Sequence, residues 1–152
     1  MLIEHVKIDS NGAIEFPYGI CIDGHSNGCL ARVVTHVHAD HTLHLDRSIA
    51  FGRYIIGTPI TIELLKILGY NIPSVKTIVL NYEETIYIGE AKLKLEKAYH
   101  IPGTAQVVLD NEEFIVAYTS DFKSPGNGTK IIKDVDVLVI DATYGDPKYV
   151  RA

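Results

Sequence analysis

Between residues 35 and 41 the chain reads Thr35-His36-Val37-His38-Ala39-Asp40-His41, three imidazoles and a carboxylate within six residues. Imidazole nitrogen and carboxylate oxygen suit zinc above all, and also manganese or iron. Histidine supplies 7 of the 152 residues. At this composition a His-x-His-x-Asp-His string arises by chance on the order of once per thousand chains, so it reads as a metal-ligand loop rather than a solvated polar loop. Two distant segments could complete a site. Tyr99-His100-Ile101-Pro102-Gly103-Thr104 puts a histidine at the end of a strand, before a forced turn. Tyr118-Thr119-Ser120-Asp121-Phe122-Lys123 closes an apolar strand with a carboxylate. Alone, His100 reads as an ordinary strand-end residue and Asp121 as a turn residue or cap.

Such a loop needs a rigid base, and residues 32–35 form a short apolar strand running straight into it. Before it, residues 2–8, 13–16 and 19–22 read as strands, with Asn11-Gly12 as a hairpin turn. Residues 49–52 and 54–56 read as short buried strands, or a strand and a turn. Thr58 then Pro59 starts a helix over 58–68, with Thr58 as N-cap, and Gly69 ends it. Strands follow at 75–80, 85–88, 91–95, 106–109, 114–118 and 137–140, with a loop at 124–128 and one helical turn at 130–133. On 91–95, Leu93 and Leu95 alternate with Lys92, Lys94 and Glu96, which predicts a wet outer face. Many strands with one clear helix imply a layered α/β or α+β domain.

The length of 152 residues suits a single domain, and 47% hydrophobic with 22% charged residues is globular composition. No apolar run could span a bilayer, and the N-terminus lacks the features of a signal peptide, so the cytoplasm is the expected location. The net charge of −5 offers no general basic footprint for nucleic acid. Cys21 and Cys29 form no CxxC and no disulfide framework, and are expected as buried thiols. His5, His25 and His44 have no partner motif, and His44 is expected at the surface.

The string HxHxDH, a lone histidine before Pro-Gly, and an aspartate closing a strand together resemble the metallo-β-lactamase superfamily. His100-Ile101-Pro102-Gly103-Thr104, Thr119-Ser120-Asp121-Phe122 and Asp141-Ala142-Thr143-Tyr144-Gly145 resemble its β-CASP nuclease branch, that of RNase J, Artemis and the cleavage and polyadenylation nuclease subunit. The resemblance runs from about Ile20 to Gly145. It implies an αββα sandwich with metals at one edge of the sheets. It also implies a single domain over 1–152 that stops before the β-CASP region and the closing segment. His36, His38 and His100 would hold a first metal, Asp40 and His41 a second, and Asp121 would bridge them. Asp23 would orient the histidines from behind, and Asp141 matches the acidic residue that opens the β-CASP region. The implied activity is metal-dependent hydrolysis of RNA or DNA phosphodiesters by a water that Asp40 orients or deprotonates. One or two zinc ions, or manganese or iron, would serve. A small-molecule thioesterase or lactonase, or a non-catalytic metal-binding or partner-binding module, are the alternatives. A homo-oligomer or a partner chain would complete the fold. Two departures stand out: Leu43 follows the loop where the family has glycine, and Ser120 also replaces a glycine.

Overall fold

The computed structural model describes residues 6–123 and 125–140. Asp141 and His5, and the expected strand over 2–8 up to residue 5, lie outside the described residues. Two sheets face each other. The first has six strands in sequential order: β1 (Lys7–Ile8), β2 (Ile14–Phe16), β3 (Ile20–Ile22), β4 (Ala31–Val33), β5 (Tyr54–Gly57) and β6 (Thr77–Val79). β1 to β3 pair antiparallel, and β3 to β6 pair parallel. The second sheet runs β11 (Val137–Val139), β10 (Phe114–Tyr118), β9 (Ala105–Asn111), β8 (Ala91–Lys97) and β7 (Thr85–Ile88). β7 to β10 form an antiparallel meander, and β11 joins parallel to β10.

The core lies between the sheets. Ile14, Ile20, Ile22, Val33 and Ile56 meet Leu93, Leu95, Val107, Leu109 and Val116 there, all buried. β3, β4 and most of β5 are buried on both faces, as central parallel strands require, while the edge strand β6 is partly exposed. Helices α1 (Leu45–Phe51) and α2 (Pro59–Ile67) bury Val34, Leu45, Ile55, Ile62, Leu65 and Ile72 as a second cluster. Thr58 caps α2 by accepting from the Thr61 amide, with Pro59 beginning the helix, as its sequence predicts.

Four expectations need correction. Residues 49–52 are not a strand, since α1 runs to Phe51. Leu45, Ser48 and Ile49 fall at helical spacing, and all three turn inward. Residues 130–133 form no helical turn. The Lys130 amide instead bonds Lys97 O, and Gln106 Nε2 donates to Lys130 O, which ties this stretch alongside the second sheet. That stretch lines one cavity with Lys94 and Glu96, so Glu96 is buried rather than wet and pairs with Lys94 at 2.8 Å. Cys21 and Cys29 are buried as expected, but they are joined in a disulfide, with Cα atoms 5.7 Å apart. The chain folds back after β3 and returns Cys29 beside Cys21, a proximity that their spacing alone does not reveal.

Candidate metal centre

β3 and β4 are parallel, and β8 and β10, each antiparallel to β9, run parallel to one another. The C-terminal ends of these strands deliver the chemistry. Asp23 follows β3, the histidine loop follows β4, His100 follows β8 and Asp121 follows β10. Ligands commonly bind outside the carboxyl ends of parallel strands for this reason.

The structure brings His36, His38, His100 and Asp121 into one cluster, with a ligand atom from each lying within 4.8 Å of the others. His38 Nδ1 lies 3.1 Å from His100 Nε2. Asp121 Oδ2 lies 3.6 Å from His36 Nε2 and 3.7 Å from His100 Nε2. A tetrahedral ion with bonds of about 2.0–2.1 Å needs ligand atoms about 3.3 Å apart, which these separations bracket. His36 is fully buried, and its Nε2 has no hydrogen-bond partner among the described residues. A buried orphan of this kind is costly unless something occupies its lone pair. The residues present therefore fit a divalent cation.

A second group, Asp40, His41 and Asp121, adjoins the first. Asp121 Oδ2 is 3.2 Å from His41 Nε2, and Asp40 Oδ2 is 3.4 Å from the same atom. Asp40 is exposed and His41 buried. Behind the loop, Asp23 is buried and does three jobs. Its Oδ1 accepts the Thr35 amide at 2.8 Å. Its Oδ2 accepts the Thr35 hydroxyl and His41 Nδ1, each at 2.6 Å. One carboxylate thus orients His41 directly and braces the strand end that precedes His36.

Electrostatics divide the histidines. Burial, with His41, His100 and His38 as neighbours, pushes His36 down to about 3, so it is neutral with a free lone pair. Burial and two neighbouring imidazoles hold His100 below its ordinary value too, against the pull of Asp121. For His41 burial works the other way from its partners. The hydrogen bond to Asp23 and the charges of Asp23, Asp121 and Asp40 win, and push it up to about 9.

The supporting elements matter as much. The turn after His100 needs Gly103 at φ +86°, where a Cβ would sit 2.9 Å from Thr61 Oγ1. Thr58 and Thr61 both donate to Gly103 O, so the start of α2 clamps the His100 loop. Arg32 on β4 is a residue that the sequence reasoning missed. It is 1% exposed and donates to Leu43 O at 3.0 Å, His41 O at 3.2 Å and Ser48 Oγ at 3.1 Å. A charged residue flanked by Ala31 and Val33, next to the histidine string, was the available signal. Burial lowers its pKa to about 10, which leaves it charged at neutral pH. His25 bonds Ser48 Oγ at 2.9 Å and joins neither ligand group; His44 is exposed, at φ +54°.

No family model matches the chain. Among curated proteins, it is 32% identical over 142 residues to the DNA cross-link repair protein SNM1 of Arabidopsis thaliana, covering 88% of this chain and 27% of that one. It is 28% identical to RNase aCSPSF2 of Saccharolobus solfataricus, over 90% of this chain and 35% of that one. An uncharacterized protein in the lig 3' region of Acidianus ambivalens is 45% identical over 73 residues, 47% of this chain and 51% of that one. The chain thus spans between about a quarter and a half of these relatives' lengths. Among solved structures, a metallo-β-lactamase from Cronobacter sakazakii, a HARLDQ-motif mutant, superposes with a TM-score of 0.64 at 13% identity, over 90% of this chain and 77% of that one. That likeness concerns the fold. Two facing sheets with a histidine-aspartate edge define a metallo-β-lactamase fold. The chain belongs to the metallo-β-lactamase superfamily, in its β-CASP branch, and spans part of that domain.

Proposed function

We propose that this chain is the metal-binding part of a hydrolase that cleaves nucleic-acid phosphodiesters. The observation that carries the reading is the cluster around the orphaned His36 Nε2, four ligand atoms all within 4.8 Å of one another. Relatives named as a DNA cross-link repair protein and an RNase support the substrate class. His36, His38, His100 and Asp121 would hold the first cation, with zinc the best match to the donors and manganese or iron next. Asp40 and His41, sharing Asp121, would hold a second. A bound divalent cation polarises a phosphoryl oxygen and lowers the pKa of water. Asp40, exposed at the edge of the cluster, would orient an attacking water and take its proton. Asp23 keeps His41 turned toward Asp121 and Asp40.

The first group has four protein ligands and the second has three, one of them shared. One cation should therefore be held firmly and the second weakly. Elemental analysis of the purified chain, together with its mass in solution, tests this. One tightly held ion per chain is expected. Two tight ions in a monomer would refute the asymmetry, and two in a dimer would mean that a second copy completes the weaker group. Phosphodiester against thioester turnover then tests the substrate class. A small-molecule hydrolase is the second reading, favoured by the net charge of −5. Faster thioester turnover would establish it. Tight metal binding without turnover of either would establish a binding module.

A further inference from the structure

Ser120 has a backbone φ of +56° and is completely buried. A residue with a Cβ enters that left-handed region at a cost, whereas glycine enters freely. The contacts that offset the cost are ones only its hydroxyl makes. Ser120 Oγ donates to Thr35 Oγ1 at 2.8 Å and lies 3.3 Å from His36 Nδ1. Counting hydrogens fixes the direction of the remaining bonds. The one hydroxyl proton of Thr35 goes to Asp23 Oδ2, and that of Ser120 goes to Thr35. Neither hydroxyl has a proton left for His36 Nδ1, which lies 3.0 Å from Thr35 Oγ1. His36 Nδ1 must carry the proton itself, and the lone pair is then on Nε2, the buried atom that has no hydrogen-bond partner.

We infer that Ser120 is a positioning residue of the metal centre: it holds the Thr35 hydroxyl that keeps His36 protonated on Nδ1, and fixes the ring with Nε2 turned toward His38, His100 and Asp121. The inference rests on the metal reading above. Partners that hold the far nitrogen of a ligating histidine set its tautomer and orientation in this way. The tautomer matters because only an unprotonated Nε2 can ligate.

Ser120→Gly and Ser120→Ala separate positioning from packing, because the backbone responds to them in opposite senses. Glycine relieves the left-handed strain, and alanine keeps it; both remove the hydroxyl. Three readings are compared with the parent chain. They are the His36 tautomer from side-chain nitrogen NMR of the metal-free chain, Co2+ affinity by chelator competition, and the melting temperature. The parent should show the Nδ1-protonated form. Both variants should keep that form, which Thr35 still imposes, but with the ring less firmly held they should bind the first Co2+ roughly tenfold more weakly, the lower end for losing such a partner. Ser120→Gly should do so while melting no lower than the parent, an outcome that loss of packing could not produce. If Ser120→Ala fails to fold, Ser120→Gly carries the test alone. A parent protonated on Nε2, or parent-like Co2+ affinity in the variants, would overturn the role of Ser120 and leave the metal centre standing. A parent chain that takes up no Co2+ would overturn the metal centre and this role with it.

Discussion

The two ligand groups that meet at Asp121 are built in opposite ways. The first gathers His36 and His38 from the loop after β4, His100 from the turn after β8, and Asp121 from the end of β10. Three separate elements converge, and the deepest imidazole is neutral, pushed down to about 3. The second takes Asp40 and His41 from one short 3-10 turn. Its imidazole is pushed up to about 9 and sits among three carboxylates. The first group therefore offers lone pairs to a cation, while the second holds a proton that a cation must displace. Which group binds tightly follows from that difference as much as from the number of ligands.

The largest way to break the comparison is to act on both groups at once. Asp23 serves both, through His41 Nδ1 and through Thr35, which adjoins His36. Asp23→Asn should weaken metal binding at each group by roughly 10–100-fold, the range for losing an oriented outer partner. It should also lower the melting temperature of the metal-free chain, since a buried imidazolium loses its closest counter-charge. Calorimetry and chelator competition read the two effects. A loss confined to one group would mean that Asp23 does not link them.

The same comparison shows what could be read from the residues alone. The histidine loop was legible as a rare residue string, whereas His100 and Asp121, ordinary strand-end residues on their own, joined it only through the family resemblance. The strands were legible from alternation, and α2 from its Thr58-Pro59 start and its Gly69 end. What was not legible depends on the return of the chain in space. Helix α1 was hidden because 49–52 looks like a short apolar strand, and its helical face appears only when Leu45 and Ser48 are included. The disulfide was hidden because the loop from β3 to β4 must first fold back on itself. Arg32 was hidden because a charge between Ala31 and Val33 signals a buried role but not which groups it serves, and only the fold shows that its guanidinium holds loop carbonyls.

A smaller effect sharpens the contrast in protonation. His41 must lose a proton to ligate through Nε2, and its pKa stands near 9. Affinity of the second group should therefore rise about tenfold per pH unit from 7 toward 9, with about one proton released per ion. Affinity of the first group should change little over that range, because His36 is already neutral. The metal-free chain should show matching signs in stability. The raised pKa of His41 contributes stability that is full below its ordinary 6.5 and lost as the pH climbs through about 9. The lowered pKa of His36 contributes stability that is full above 6.5 and lost as the pH falls toward about 3. Together they place the optimum near pH 6.5, which melting curves across pH 4–10 in chelator would read. A first group as steeply pH-dependent as the second would erase the contrast.

The smallest expected effect isolates the second group from behind. Arg32 holds the carbonyls of His41 and Leu43, and touches none of the first group's ligands. Among the described residues its Nε has no partner and no carboxylate lies within ion-pair distance, though the charge of Asp23 supports it from farther off. Burial disfavours the Arg32 charge, but removing it leaves the carbonyls of Leu43 and His41 without their donor, and a buried acceptor left unsatisfied costs about 1–3 kcal/mol. Arg32→Met should therefore lower the metal-free melting temperature modestly. At the same time it should free the backbone that aims His41, and weaken the second ion by about tenfold at most, with the first ion unaffected. If both ions weaken equally, Arg32 supports the strand rather than the loop. If stability drops with no change at either ion, its hydrogen bonds to the carbonyls stabilise the fold and do not position the ligand.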